Sequence, residues 1–141
     1  MIQILTGIQN TSAALNAEHL RLDVISENIA NAQTTHGLNG KPYQRRVVVF
    51  ENVLNDTMNG GSPGLPAMRA GKIELDPRPS IKVHEPGNPD ADEHGMVLIP
   101  NVNIHEEMAD YISAQRAFEA NLAVVKNARS MAMQTLSIGK H

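Results

Sequence analysis

The stretch Asp90-Ala91-Asp92-Glu93-His94-Gly95 places acids at the first and third positions and glycine at the sixth position of a would-be calcium loop. A working loop needs a bidentate carboxylate at its twelfth position, where this chain has Asn101, and His94 occupies the fifth. The lead-in Pro86-Gly87-Asn88-Pro89 turns the chain instead of bringing in a helix, so a solvated acidic turn is expected. Gly71-Lys72 shares two residues with a phosphate-binding loop, but Pro66 replaces its first glycine and Ile73 its Ser or Thr. The six histidines, at 19, 36, 84, 94, 105 and 141, include no helical pair spaced for zinc. His105-Glu106-Glu107 lacks a second histidine four residues on. Glu106, Glu107 and Asp110 are the remaining acid–base candidates, and their place in the first turns of a helix is explained by the helix dipole alone. Lys41, Arg45 and Arg46 form the only basic cluster, and with no aromatic beyond Tyr43 they predict a solvated strand edge. No catalytic, metal-binding or cofactor-binding constellation is expected, which leaves a structural or interaction protein.

Two long helical segments must carry such a role. Residues 103–138 contain neither Gly nor Pro and are rich in Ala, Met, Glu and Leu, so one helix roughly 50 Å long is predicted. Asn103 and Glu106 have the spacing of a capping pair, and Gly139 is a natural stop. Ile104, Met108, Tyr111, Gln115, Phe118, Leu122, Val125, Arg129, Ala132 and Leu136 follow the alternating spacing of a coiled-coil seam. A second line, Ala117, Val124, Met131 and Ile138, runs beside the first, and one partner helix cannot cover both. Residues 2–32 form the other helical candidate, with Met1, Ile8, Leu15, Leu22 and Ile29 recurring every seven residues and Gly7 weakening the first turns.

Between the helices, strands are predicted at 43–50, 72–76, 80–85 and 96–99. Residues 55–71, with Asn59-Gly60-Gly61-Ser62-Pro63-Gly64 at their centre, read as an exposed, mobile loop. The expected fold is therefore mainly α with a small β insertion. The terminal helices pair as a coiled-coil-like hairpin, with 1–33 and 101–139 forming one helical unit and 34–100 a β-rich, loop-rich insertion.

At 141 residues the chain suits one domain, and with two Phe, two Tyr and no Trp its core must be thin. A net charge of −3 excludes the basic field of a nucleic-acid binder, and the absence of cysteine excludes disulfides and thiolate chemistry. No apolar run approaches a membrane span, and no signal-like segment precedes Arg21, the first basic residue. Export, if it occurs, is expected to use no cleaved signal.

Asn28-Ile29-Ala30-Asn31-Ala32, closing the first helix, resembles the signature shared by bacterial flagellar rod, hook and junction proteins. Within that family, the run from Glu85 to Asp92, then Gly95 and Pro100-Asn101-Val102-Asn103, resembles the middle of a proximal-rod subunit. Pro42-Tyr43-Gln44-Arg45-Arg46-Val47-Val48-Val49-Phe50 resembles the family's first strand. Ser113-Ala114-Gln115-Arg116-Ala117-Phe118-Glu119-Ala120-Asn121 and Thr135-Leu136-Ser137-Ile138-Gly139 resemble its last helix. Phe118 and Glu119 depart from the Tyr and Gln common there, keeping the apolar knob and adding a charge.

The resemblance implies a structural subunit of the drive shaft, exported by the flagellar type III apparatus and assembled in the periplasm. Its implied partners are copies of itself, other proximal and distal rod proteins, and the ring and export-gate junction proteins. Asn28 and Asn31 of the signature are then candidate interaction residues. Leu15, Leu22, Ile29, Phe118, Leu122, Val125 and Leu136 are expected to line the seam between helices, and Ala117, Val124 and Met131 to meet a neighbouring subunit. The competing expectation is a helical-hairpin adaptor of the cytosol, unrelated to flagella.

Overall fold

The structure is a computed structural model that describes residues 2–37, 39–53 and 67–138. Six elements follow in order: α1 (Ile2–Ala30), β1 (Arg46–Val53), β2 (Ala67–Leu75), β3 (Ile81–His84), β4 (Met96–Ile99) and α2 (Ile104–Ile138). The fold is mainly helical with two small antiparallel strand pairs.

The helix boundaries follow from local hydrogen bonds. Asn31 closes α1, since its backbone N–H and its side-chain amide both donate to the Glu27 carbonyl, at 3.0 and 2.9 Å. Asn103 opens α2, its Oδ1 accepting from the His105 N–H at 3.0 Å while its own amide reaches the Glu106 carboxylate at 3.3 Å. Glu106 thus braces the cap through the side chain, not through the backbone N–H of a full capping box.

The two helices run side by side in opposite directions. Gly7, Ile8 and Thr11 lie beside Val124–Met131 residues, His19 makes an edge-on ring contact with Phe118, and Asn28 bonds to Glu107. On α1 the deepest residues are Ala17, Val24, Ile25 and Asn28, while Leu15, Leu22 and Ile29 flank them half-buried. Seven-residue spacing alone supposes one partner, whereas α1 also packs on β1 and β2, and this second neighbour draws the buried face round the helix.

β1 and β2 pair antiparallel from Arg46↔Leu75 to Val53↔Ala67, with an irregularity between Val49 and Phe50. The strand expected from residue 43 begins only at Arg46, because the preceding backbone bonds elsewhere: Tyr43 N–H to Thr34 and Arg45 N–H to the Asn101 side chain. The expected loop at 55–71 is shorter by its last five residues, which belong to β2; 54–66 lie outside the described residues.

β3 and β4 pair in register Ile81↔Ile99 to His84↔Met96 and bury Val97 on one face. The turn between them is held by Asp92, whose carboxylate accepts the N–H groups of His94 and Met96, and by Gly95 at φ +72°. A Cβ at Gly95 would meet Pro86 Cβ at 3.0 Å and His84 Cε1 at 3.1 Å, so both the backbone and the space exclude a side chain. Gly95→Ala is therefore expected to lower stability by about 1–2 kcal/mol in urea denaturation, with helix content unchanged by circular dichroism.

Candidate assembly interface and the polar clasp that sets it

Where the end of α1, the start of β1, the end of β2 and the first turns of α2 converge, the contacts are polar. Asn28 is 1% exposed and makes all four hydrogen bonds its amide can make. Its Nδ2 donates to the Arg46 carbonyl at 2.8 Å and to Glu107 Oε2 at 2.9 Å. Its Oδ1 accepts from the Tyr43 hydroxyl at 2.9 Å and from the Arg46 N–H at 3.0 Å. Asn28 therefore acts as an extra strand on the edge of β1 while reaching across to α2.

Glu107, 0% exposed, takes its other oxygen to Arg45, whose Nε donates at 2.6 Å. The same guanidinium reaches Asp76 at 3.1 Å and Asp110 at 3.4 Å, so one cation from the start of β1 ties β2 to α2. A buried carboxylate is tolerated only when paired and hydrogen-bonded, and Glu107 has both conditions met from two different elements. Asn101 extends the network, accepting the Arg45 N–H at 2.8 Å and donating to the Arg78 carbonyl at 2.8 Å. Arg78 closes it through Asp76 at 2.9 Å and Glu106 at 3.4 Å.

The Arg78 hydrogen bonds to its side chain, foremost, hold Asp76 well below the usual carboxylate range, at about 2, with Arg45 adding to the effect against burial. Tyr43 is pushed above its ordinary value by burial first and by Glu27 next, so its hydroxyl stays a proton donor to Asn28.

This arrangement revises three expectations. Asn28 spends its entire hydrogen-bonding capacity within the chain and has none left for a neighbour. Arg45, expected on a solvated strand edge, is largely buried and charge-paired; Lys41 and Arg46 have the exposed character foreseen, Arg46 bonding Glu27 at 2.9 Å. Glu107, assigned to the helix dipole, is the buried anchor of α2. The signal that could have singled it out is position: an acid a single residue before the apolar line at Met108, on a face shared with Ala114, the other fully buried residue of α2.

The remaining candidates distribute along the helix pair. Leu15, Leu22, Ile29, Ala117, Phe118, Leu122 and Val125 are half-buried, and Asn31 serves as the α1 stop. Val124 is 54% exposed, Met131 64%, and Leu136 is exposed as well. With Ile104, Met108, Tyr111, Ile112, Met133 and Ile138 also exposed, α2 carries far more uncovered apolar surface than a scattered surface residue explains. None of the described helices is long and apolar enough to cross a membrane.

Removing one member of the clasp leaves a buried charge unpaired. Arg45→Ala is expected to cost about 3–5 kcal/mol in denaturant unfolding, while the double variant Arg45→Met with Glu107→Met recovers most of the loss. Because the folded pKa of Asp76 is depressed, its contribution is complete above about pH 4 and is lost as pH falls through about 2. Asp76→Asn should lower stability at neutral pH and flatten that acid limb in unfolding measured between those values.

Comparison with known proteins meets this geometry at both ends of the chain. The family described as "Flagella basal body rod protein" matches residues 8–37, and "Flagellar basal body rod FlgEFG protein C-terminal" matches residues 93–138. The flagellar basal-body rod protein FlgC of Borreliella burgdorferi is 38% identical, over 96% of this chain and 97% of that protein. FlgC of Bacillus subtilis is 36% identical over 92% and 94%, and FlgC of Salmonella typhimurium 37% identical over 91% and 92%. Nothing in these matches supports an adaptor unrelated to flagella. The clasp residues Asn28, Glu107 and α2 itself lie inside the two matched segments, and the chain belongs to the FlgC family of flagellar basal-body rod proteins, structural subunits of the rod.

Proposed function

We propose that this subunit belongs to the proximal rod, where it completes its core by packing α1 and α2 against neighbouring rod subunits and so transmits torque towards the distal rod and hook. The observation that carries this is the apolar surface that α2 leaves uncovered, where Met108, Ile112, Val124, Met131, Met133, Leu136 and Ile138 are each more than half exposed. Apolar surface of that extent on one helix is what an interface between subunits buries.

In this reading Leu15, Leu22, Ile29, Phe118, Leu122, Val125 and Leu136 form a coiled-coil-like seam, and Ala117, Val124 and Met131 meet the next subunit. Residues 1–33 and 101–139 act as the rod core, with 34–100 as the insertion. Stiffness in the assembled shaft would come from the clasp, since a rotation of either helix about its axis must break charged hydrogen bonds around Glu107 and Arg45. Assembly in the periplasm, after export without a cleaved signal, and contacts with ring and export-gate junction proteins belong to the same proposal. They rest on family membership.

Mass spectrometry of purified hook–basal bodies from the source organism tests the placement. Recovery of the chain with the rod at a few copies per structure is the expected result; its absence there with abundance in the cytosol would overturn it. Val124→Asp should leave expression and fold intact but abolish swimming in soft agar, and full motility would remove that surface from the interface.

A further inference from the structure

The chain has seven methionines and no cysteine, so the sulfur redox chemistry open to it is thioether chemistry. Three of those sulfurs stand on the surface of α2: Met108 is 54% exposed, Met131 64% and Met133 62%. Met96, on β4, is half-buried and gives an internal comparison. The exposed Ile104, Ile112, Val124 and Ile138 of the same helix carry only saturated carbon, which a peroxide does not attack. Leucine suits a helix as well as methionine does and is close to it in volume. Among the exposed apolar residues of α2, however, three are Met and only Leu136 is Leu. Methionine is flexible and polarizable, which fits it to the surface of another molecule, and it is the apolar side chain that a mild oxidant turns polar.

The placement of the three decides what oxidation would change. At 100° per residue, Met108 and Met133 fall within about 20° of each other, roughly 100° from the buried line through Glu107 and Ala114, with Met131 on the other side. None of their side chains belongs to the clasp. An oxygen added to any of them projects into water in the free chain, so the fold has no cause to alter. Against another subunit the same polar S–O bond must give up its water, which weakens association about tenfold for each group left without a hydrogen bond.

We propose that Met108, Met131 and Met133 form a peroxide-sensitive modification site of the free subunit, and that their conversion to sulfoxide leaves the chain folded but shuts it out of assembly. This rests on the reading of the outer face of α2 as an interface between rod subunits. The step is a two-electron oxidation. The thioether sulfur attacks one oxygen of the peroxide, the S–O bond forms as the O–O bond breaks, and the proton on the transferred oxygen passes to the departing hydroxide, which leaves as water. Sulfur is oxidised and the peroxide reduced. A methionine sulfoxide reductase reverses the change with a dithiol, removing the oxygen as water and leaving a disulfide. Packing into the shaft withdraws the sulfurs from solvent, so the sensitivity belongs to the interval before assembly.

The chemistry is read on the purified full chain treated with hydrogen peroxide. Peptide mapping by mass spectrometry should show Met108, Met131 and Met133 each gaining one oxygen at close to the rate of N-acetylmethionine and well ahead of Met96, with circular dichroism unchanged. The consequence is read in cells, by counting hook–basal bodies from a wild-type strain and from one carrying Met108→Leu, Met131→Leu and Met133→Leu together. Each strain is grown with and without sublethal hydrogen peroxide and compared with its own peroxide-free yield. The wild-type yield should fall about tenfold further than that of the leucine variant. The chain recovered from wild-type structures should hold unmodified methionine at all three positions while the unassembled pool holds sulfoxide. Oxidation no faster than at Met96, loss of helix on oxidation, an equal fall in both strains, or assembled chains as oxidised as the free pool would each overturn the proposal. Absence of the chain from hook–basal bodies without peroxide would instead overturn the rod reading, and the order of oxidation in the free chain would still decide whether the site exists.

Discussion

The contact on which the structure depends is the carboxylate of Glu107 shared between Asn28 and Arg45. A carboxylate removed from water must recover its lost hydration from fixed donors, and here each oxygen is served by a different part of the chain. One donor is an amide at the end of α1, the other a guanidinium at the threshold of β1. The helices touch along much of their length, but apolar contact is nondirectional and permits sliding. Charged hydrogen bonds with defined geometry do not. The clasp therefore sets the axial register of α1 against α2 and the angle at which the β1–β2 pair leaves them.

The parts of the fold visible in the sequence were those written in period or punctuation. The spacing from Ile104 to Leu136, the absence of Gly and Pro, and the Asn103–Glu106 pair marked α2 to within a residue of its start. The β-branched run at Val47–Val49 and the turn at Asp92–Gly95 were equally plain. The clasp was hidden because its members are 79 residues apart in the case of Asn28 and Glu107, and 62 for Arg45 and Glu107. Each has a sufficient local explanation: an amide in a helix end, an acid in a first turn, a base on a strand. Only the fold shows that the three explanations compete with a shared one. The heptad reading of α1 met a related limit, since it assumed a helix for a neighbour and found a strand pair as well.

The Asn-Ile-Ala-Asn signature illustrates how a motif can divide its labour. Asn31 stops the helix, a local task that Thr34 supports by donating to its side chain at 3.3 Å. Asn28, one turn earlier, is committed to a site assembled from distant segments. The small Ala30 between them is exposed, and Ile29 is half-buried. The two asparagines look alike in the sequence, yet one answers to backbone geometry and the other to tertiary structure.

The separation of the clasp residues along the chain also bears on when the fold can exist. Asn28, Tyr43, Arg45 and Arg46 leave any channel or ribosome long before Glu107 when the N-terminus leads. Until the later segment arrives, Arg45 lacks Glu107 and Asn28 lacks the one of its four hydrogen bonds that reaches α2. Closing a loop of this length carries an entropic cost, and the bonds of Glu107 are not there to offset it until α2 is present. The arrival of one acidic residue then organises four elements at once. Timing of folding is in this way written into the order of residues, with the lock placed early and the key late.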